Sequence, residues 1–293
     1  VVQAVGWMWQ REEVRKVLAR TAVDESGIGV YEDKLAKIRT KTLGTLWDQR
    51  GIKTCDLVGE DKALGVRTYA KPIGVIADVV PCTNPESTIC CIGLSTLKTR
   101  NAMIVSPHPR TQKSSYLTVE YGREALKKIG APVDLLQCIQ NTSQEKTQQL
   151  MAHCDFAVAT GGAALVKVVY NAGKPAQTVG AGNVVSFVDA TVPDLQATAH
   201  KIMVSKIANN AASEDWDLNV LVSGGFMERP FMAKLGNGLV GSAADGSRLR
   251  LINISDNVAT TDPAGVAADL AQGAYDLDGS GGATDNDIIG GIV

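Results

Sequence analysis

The stretch "GVIADVVPCTNPESTICCIGLSTLKTRNAMIVSPHPR", Gly74 to Arg110, decides the fold. It opens on a run rich in β-branched residues, Val75 to Val80, which reads as a strand. The prolines at 81 and 85 stop that strand, and a helical pattern runs from about Glu86 to Lys98. "AMIVS" (Ala102–Ser106) is a second apolar strand, ended by "PHPR". Two strands separated by a crossover helix form a parallel pair.

The same alternation continues outward. A helix is predicted over about Thr111–Lys128, a strand over Val133–Ile139 and a helix over about Ser143–His153. A strand (Phe156–Ala159) and a helix (about Ala163–Asn171) follow, and strands near Ala176–Val179 and at Val184–Val188 close the run. On the N-terminal side, "GVRTYAK" adds strand character. From Gln10 to about Asp48 apolar residues recur three and four apart, the period of a helix. Residues of roughly 60–190 therefore predict an α/β fold, a Rossmann-like doubly wound parallel sheet.

Composition bounds the function. The chain has 293 residues, 45% of them apolar and 20% charged, the balance of a soluble globular protein. A net charge of −2 argues against a nucleic-acid partner, which needs clustered Lys and Arg. No apolar run reaches the roughly 18 residues that span a bilayer, so no membrane role is expected. The N-terminus has neither the charged start nor the cleavage signal of a secretory leader, and Val1 stands where an initiator Met is expected, as in a chain that begins within a longer protein. The six cysteines form no CxxC pair, which suits reduced thiols and a cytoplasmic location.

In a doubly wound sheet, ligands sit beyond the carboxyl ends of the strands. That rule selects "PCTNPES", "SPHPR", "ATGGA" and "VGAGN". "ATGGA" opens a helix after a strand, where glycines and free N–H groups suit a phosphate; taken alone it reads equally as a tight turn. "SPHPR" presents His108 and Arg110 on a stiff loop that can grip ribose and phosphate oxygens, or simply end a strand. Asn84, held between two prolines, is either an oxyanion donor or an ordinary turn residue.

Together with "ATGGAALVKVVYNAGKPAQTVGAGN" and the Ser205-Lys206…Asn209-Asn210 pattern, these loops resemble the CoA-acylating branch of the aldehyde dehydrogenase superfamily. That branch includes acetaldehyde, sulfoacetaldehyde and bifunctional aldehyde–alcohol dehydrogenases. The resemblance runs from about Glu12 to Asn210. It implies a dinucleotide domain with its N-terminal helices (1–204), then the start of a second α/β catalytic domain with a Gly/Asp-rich tail (205–293), truncated relative to the family. It implies NAD or NADP as cofactor, coenzyme A as co-substrate, a short aldehyde as substrate, and a homo-oligomer.

The implied roles are specific. Asn84 is the oxyanion amide. Ser106, Pro107 and His108 line the adenosine side, Thr160, Gly161 and Gly162 meet the pyrophosphate, and Gly180 and Gly182 lie near the nicotinamide. Ala181 and Gly182 stand where the hydrolytic branch carries a glutamate base, so release of the acyl group to CoA is implied. The family's nucleophilic cysteine falls on Glu214, and a carboxylate cannot do the work of a thiolate there. Three readings stay open: a non-catalytic nucleotide-binding relative, an active enzyme altered locally between Ala208 and Asp217, for example by a shift of frame, or a second thiol, Cys82, in the nucleophile's place. The second is preferred. Asp276–Asp287 matches a calcium-loop spacing, but a plain Asp/Gly tail is the preferred reading.

Overall fold

The computed structural model describes residues 1–180 and, beyond them, 184–188, 193–194, 197–198, 201–202, 205, 217–222 and 248–253. The chain divides into two compact units, Val1–Gly180 and Ala181–Val293. This division falls earlier than the expected boundary after residue 204.

The first unit begins with three helices, α1 (Val2–Gln10), α2 (Glu12–Ser26) and α3 (Tyr31–Asp48). An antiparallel hairpin follows, β1 (Asp56–Asp61) and β2 (Val66–Ala70). The alternating body is β3 (Val75–Val79), α4 (Pro85–Lys98), β4 (Ala102–Ser106), α5 (Gln112–Lys128), β5 (Leu136–Cys138), α6 (Gln144–His153), β6 (Phe156–Thr160), α7 (Ala163–Tyr170) and β7 (Ala176–Val179). Its five strands form one parallel sheet in the order β5-β4-β3-β6-β7.

The register shows why the sheet is covered on both sides. Ile76 and Asp78 align with Met103 and Val105, and these side chains share one face; Ala77 and Val79 align with Ala157 and Ala159 on the other. The first face packs under α4, α5 and the N-terminal helices, where Trp9, Leu18, Ile89, Leu94, Met103 and Leu126 are buried in one cluster. The second meets α6 and α7 through Met151, Cys154 and Val169. The fold is therefore doubly wound, as expected.

Local chemistry sets the ends of elements. Gly74, just before β3, has φ 132, and a Cβ there would overlap the Asp155 carboxylate, which accepts the Val75 N–H. The Asn101 side chain accepts the N–H groups of Ile73 and Gly74 and so fastens the same strand start. Gly27 closes α2 in the left-handed conformation.

Four elements differ from the sequence reading. Helix α1 and strand β1 are additional. The strand expected over Val133–Ile139 is shortened to Leu136–Cys138, because Val133–Leu135 form a 3-10 turn. Strand β8 (Val184–Val188), expected at the end of the first sheet, lies in the second unit with β9 (Asp217–Val222) and β10 (Arg248–Asn253), in a parallel sheet ordered β10-β9-β8. Its pairing with β9, some thirty residues further along the chain, cannot be read from its own hydropathy.

Among the described residues no helix is long and apolar enough to cross a membrane, and no group of three or more His, Cys, Asp or Glu is placed to hold a metal ion. The Asp276–Asp287 segment lies outside the described residues.

Candidate functional site

Strands β4, β3, β6 and β7 are adjacent and parallel, so the turns at their carboxyl ends meet along one rim. The chain direction across the sheet reverses between β3 and β6, the switch point at which an open sheet leaves a crevice. The turn after β3 carries Asn84, and the turn after β6 carries Thr160, Gly161 and Gly162. These two expected site segments therefore flank the crevice, with the Ser106–Arg110 turn one strand to one side and the turn at Gly180 one strand to the other.

Asn84 is the N-cap residue of α4, yet its side chain makes no capping hydrogen bond. Its backbone carbonyl accepts from Thr88, from the N–H at 3.1 Å and from the hydroxyl at 2.8 Å. Pro85 at the first helical position fixes the entry angle. The ordinary use of an asparagine at a helix start is thus not the use made of this one.

Thr160 is the last residue of β6, and Gly161 donates its N–H to the Val179 carbonyl at 3.0 Å. Gly162 caps α7 without a side chain, and a Cβ built on it would meet nothing within 4 Å. With the Gly161 N–H committed to Val179, the first N–H groups of α7, which no capping side chain takes, are the ones that could meet a cofactor pyrophosphate. Gly180 is exposed, and a Cβ there would make only ordinary contact with Val166.

The Ser106–Arg110 turn is more committed to structure than the sequence suggests. Ser106 is buried, its hydroxyl 2.7 Å from that of Thr147 on α6, and Pro107 is buried beside it. His108 is partly exposed, and its Nδ1 accepts the Arg110 N–H, which leaves the proton of the neutral ring on Nε2. Desolvation, with the Arg110 charge second, holds the His108 pKa below its usual value, so the ring is neutral at pH 7. The Arg110 guanidinium, expected to grip ribose or phosphate, instead donates to the Ser26 carbonyl at the end of α2. In this turn, His108 keeps a side chain directed at least partly to solvent.

Several charged groups near the rim escape a sequence reading. Lys34 of α3 is fully buried, donates to the Thr83 carbonyl at 2.5 Å and lies 3.8 Å from the Glu86 carboxylate, also fully buried. Burial pushes the Glu86 pKa up, and the Lys34 charge draws it part of the way back. A signal for Lys34 did exist, since it shares a four-residue spacing with Ile38 and Thr42, the other buried positions of α3. Asp78, in the middle of β3, is fully buried with neither carboxylate oxygen hydrogen-bonded. Desolvation raises its pKa from 3.8 to about 7. Cys90, Cys91, Cys138 and Cys154 are all raised by burial, away from thiolate chemistry. Cys82 is half-buried in the same turn as Asn84. Gly182 and Glu214 lie outside the described residues.

Comparison with known proteins agrees with this fold. Residues 40–212 match the aldehyde dehydrogenase family. A sulfoacetaldehyde dehydrogenase of Acholeplasma sp is 39% identical over 226 residues, which are 77% of this chain and 46% of that protein. An acetylating succinate-semialdehyde dehydrogenase of Clostridium kluyveri is 37% identical over 214 residues, 69% of this chain and 47% of the relative. The chain spans about half the length of these relatives. Among solved structures, an acetylating aldehyde dehydrogenase from Geobacillus thermoglucosidasius superimposes with a TM-score of 0.70 at 27% identity, covering 86% of this chain and 64% of that one.

Proposed function

Because the chain belongs to the aldehyde dehydrogenase family, we propose that it is the dinucleotide-binding part, with the start of the catalytic part, of a CoA-acylating enzyme. The reaction converts a short aldehyde, coenzyme A and NAD or NADP in oxidised form into an acyl-CoA, the reduced cofactor and a proton. The observation that carries this reading is the meeting of the Asn84 and Thr160–Gly162 turns at the switch point of one parallel sheet.

In this reading Asn84 donates its amide to the aldehyde oxygen as a thiolate adds to the carbonyl carbon and negative charge gathers on that oxygen. The N–H groups at the start of α7, with Gly161 and Gly162, hold the pyrophosphate. Pro107 and His108 border the adenosine, with Ser106 buried behind them, while Gly180 gives the nicotinamide close backbone approach. When bound, the cofactor supplies the hydride acceptor. The resulting thioester passes to the thiol of coenzyme A, which agrees with Ala181 and Gly182 in place of a base that would activate water. The acetylating activity named for the Clostridium kluyveri relative points to the same branch. A homo-oligomer in the cytoplasm completes the proposal.

Glu214 occupies the position the resemblance assigns to cysteine, and that one residue favours a second reading, a nucleotide-binding scaffold without chemistry. Peptide mass spectrometry across residues 205–222, combined with an assay of CoA-dependent NADH formation from short aldehydes, separates the two. Cysteine at 214 with CoA-dependent NADH supports the enzyme. A confirmed glutamate and no NADH from any aldehyde supports the scaffold.

A further inference from the structure

A buried ammonium needs a reason to be buried, because its desolvation is costly unless close partners offset it. Lys34 has two such partners, and both belong to one turn. Its Nζ donates to the carbonyl of Thr83, the residue before Asn84, and faces the carboxylate of Glu86, the second residue after it. Lys34 arrives from α3, an element far from this turn in sequence. Glu86 lies in the first turn of α4, where the helix dipole also favours a carboxylate. The two contacts therefore bracket Asn84. Sliding or rotating the turn would lengthen one of them and leave a charge buried without its partner.

We propose that Lys34 is a positioning residue that sets the Asn84 amide by clamping the turn on both sides. The proposal rests on the reading of Asn84 as the oxyanion donor, but the clamp itself is testable without it. A small displacement of a donor that stabilises the transition state is felt in the rate.

Two variants of the full chain test it. Lys34→Met removes the ammonium at similar volume. Lys34→Met combined with Glu86→Gln removes both charges and leaves no buried carboxylate stranded, so it protects against simple misfolding. Amide hydrogen exchange is expected to quicken by about tenfold or more at residues 82–88 in both variants, with β4 and α5 exchanging as in the parent. Lys34→Arg, which keeps the charge, should recover part of the protection. Parent-like exchange at the turn, or equal acceleration across the whole sheet, overturns the proposal.

Kinetics provide an independent arm. In a parent that forms NADH from aldehyde and CoA, Lys34→Met should lower kcat by about tenfold while KM for the aldehyde stays within about twofold. Added to Asn84→Ala, it should cost nothing further, because it acts through that amide. Additive losses would count against positioning. A parent with no CoA-dependent NADH formation removes the functional reading, and the exchange result then decides the clamp alone.

Discussion

At the scale of single residues, the rim is governed by charges kept from water. Asp78 sits in β3 with neither oxygen hydrogen-bonded and a pKa raised to about 7. The folded chain holds this proton more tightly than the unfolded chain, whose carboxyl has its usual value of 3.8. Its contribution to stability is therefore present below about pH 4 and lost as the pH rises to about 7. Asp78→Asn should stabilise the chain more at pH 8 than at pH 5, by about 2–3 kcal/mol in urea denaturation, and an equal effect at both would contradict this account. Gly162 makes an opposite kind of prediction. Its position is open and its φ of −68 suits any residue, so Gly162→Asp should fold as well as the parent. A carboxylate there would cap α7 but repel a pyrophosphate, raising KM for the dinucleotide by about tenfold or more. An unchanged KM would move the pyrophosphate away from α7. Asn84→Ala should lower kcat by about a hundredfold or more, and a loss confined to KM would contradict the oxyanion role. The types of these residues were legible in the sequence, as was the stiffness of the Asn84 turn. The diversion of Arg110 to the Ser26 carbonyl was not, because its partner lies on a different helix.

At the scale of elements, the N-terminal helices act as a scaffold for the rim. Trp9 of α1 is fully buried and donates its indole N–H to the Thr118 carbonyl at 2.8 Å. Glycines at 93 and 122 make room for its ring: a Cβ on Gly122 would stand 3.0 Å from Trp9 and 2.7 Å from Leu136. Gly122→Ala should therefore destabilise by about 1–2 kcal/mol despite alanine's higher helix propensity, read as a lower midpoint in thermal melting. A stabilised variant would show that the helices can part at little cost. Glu25 of α2 caps α5 from outside, accepting the N–H groups of Lys113 and Ser114 at 2.7 and 2.9 Å. Its loss in Glu25→Ala should cost about 1 kcal/mol, measurable by urea denaturation. Helices α4 to α7 followed from hydropathy and turn chemistry nearly to the residue. Helix α1 was missed because its outward face, Gln3, Trp7 and Gln10, includes a tryptophan, so in a short and mostly apolar segment the period is hard to read.

At the scale of the whole molecule, the five-stranded sheet and both of its packed clusters lie within Val1–Gly180. A fragment ending at Gly180 should therefore unfold in a single cooperative transition by circular dichroism; a broad, non-cooperative melt would show that the sheet needs the rest of the chain. The periodic apolar segments, their order along the chain and the Gly- and Pro-stiffened turns between them were in the sequence, and they determined a parallel α/β sheet with those turns along one rim. That much is local, because which faces a segment buries is written in its own spacing. Tertiary structure alone decided the order of the strands, the assignment of β8 to a second sheet, and the sealing of Lys34, Asp78 and Glu86 away from water. Those outcomes depend on contacts between segments distant along the chain, and the energy of a buried charge is set by what closes over it rather than by its neighbours in sequence.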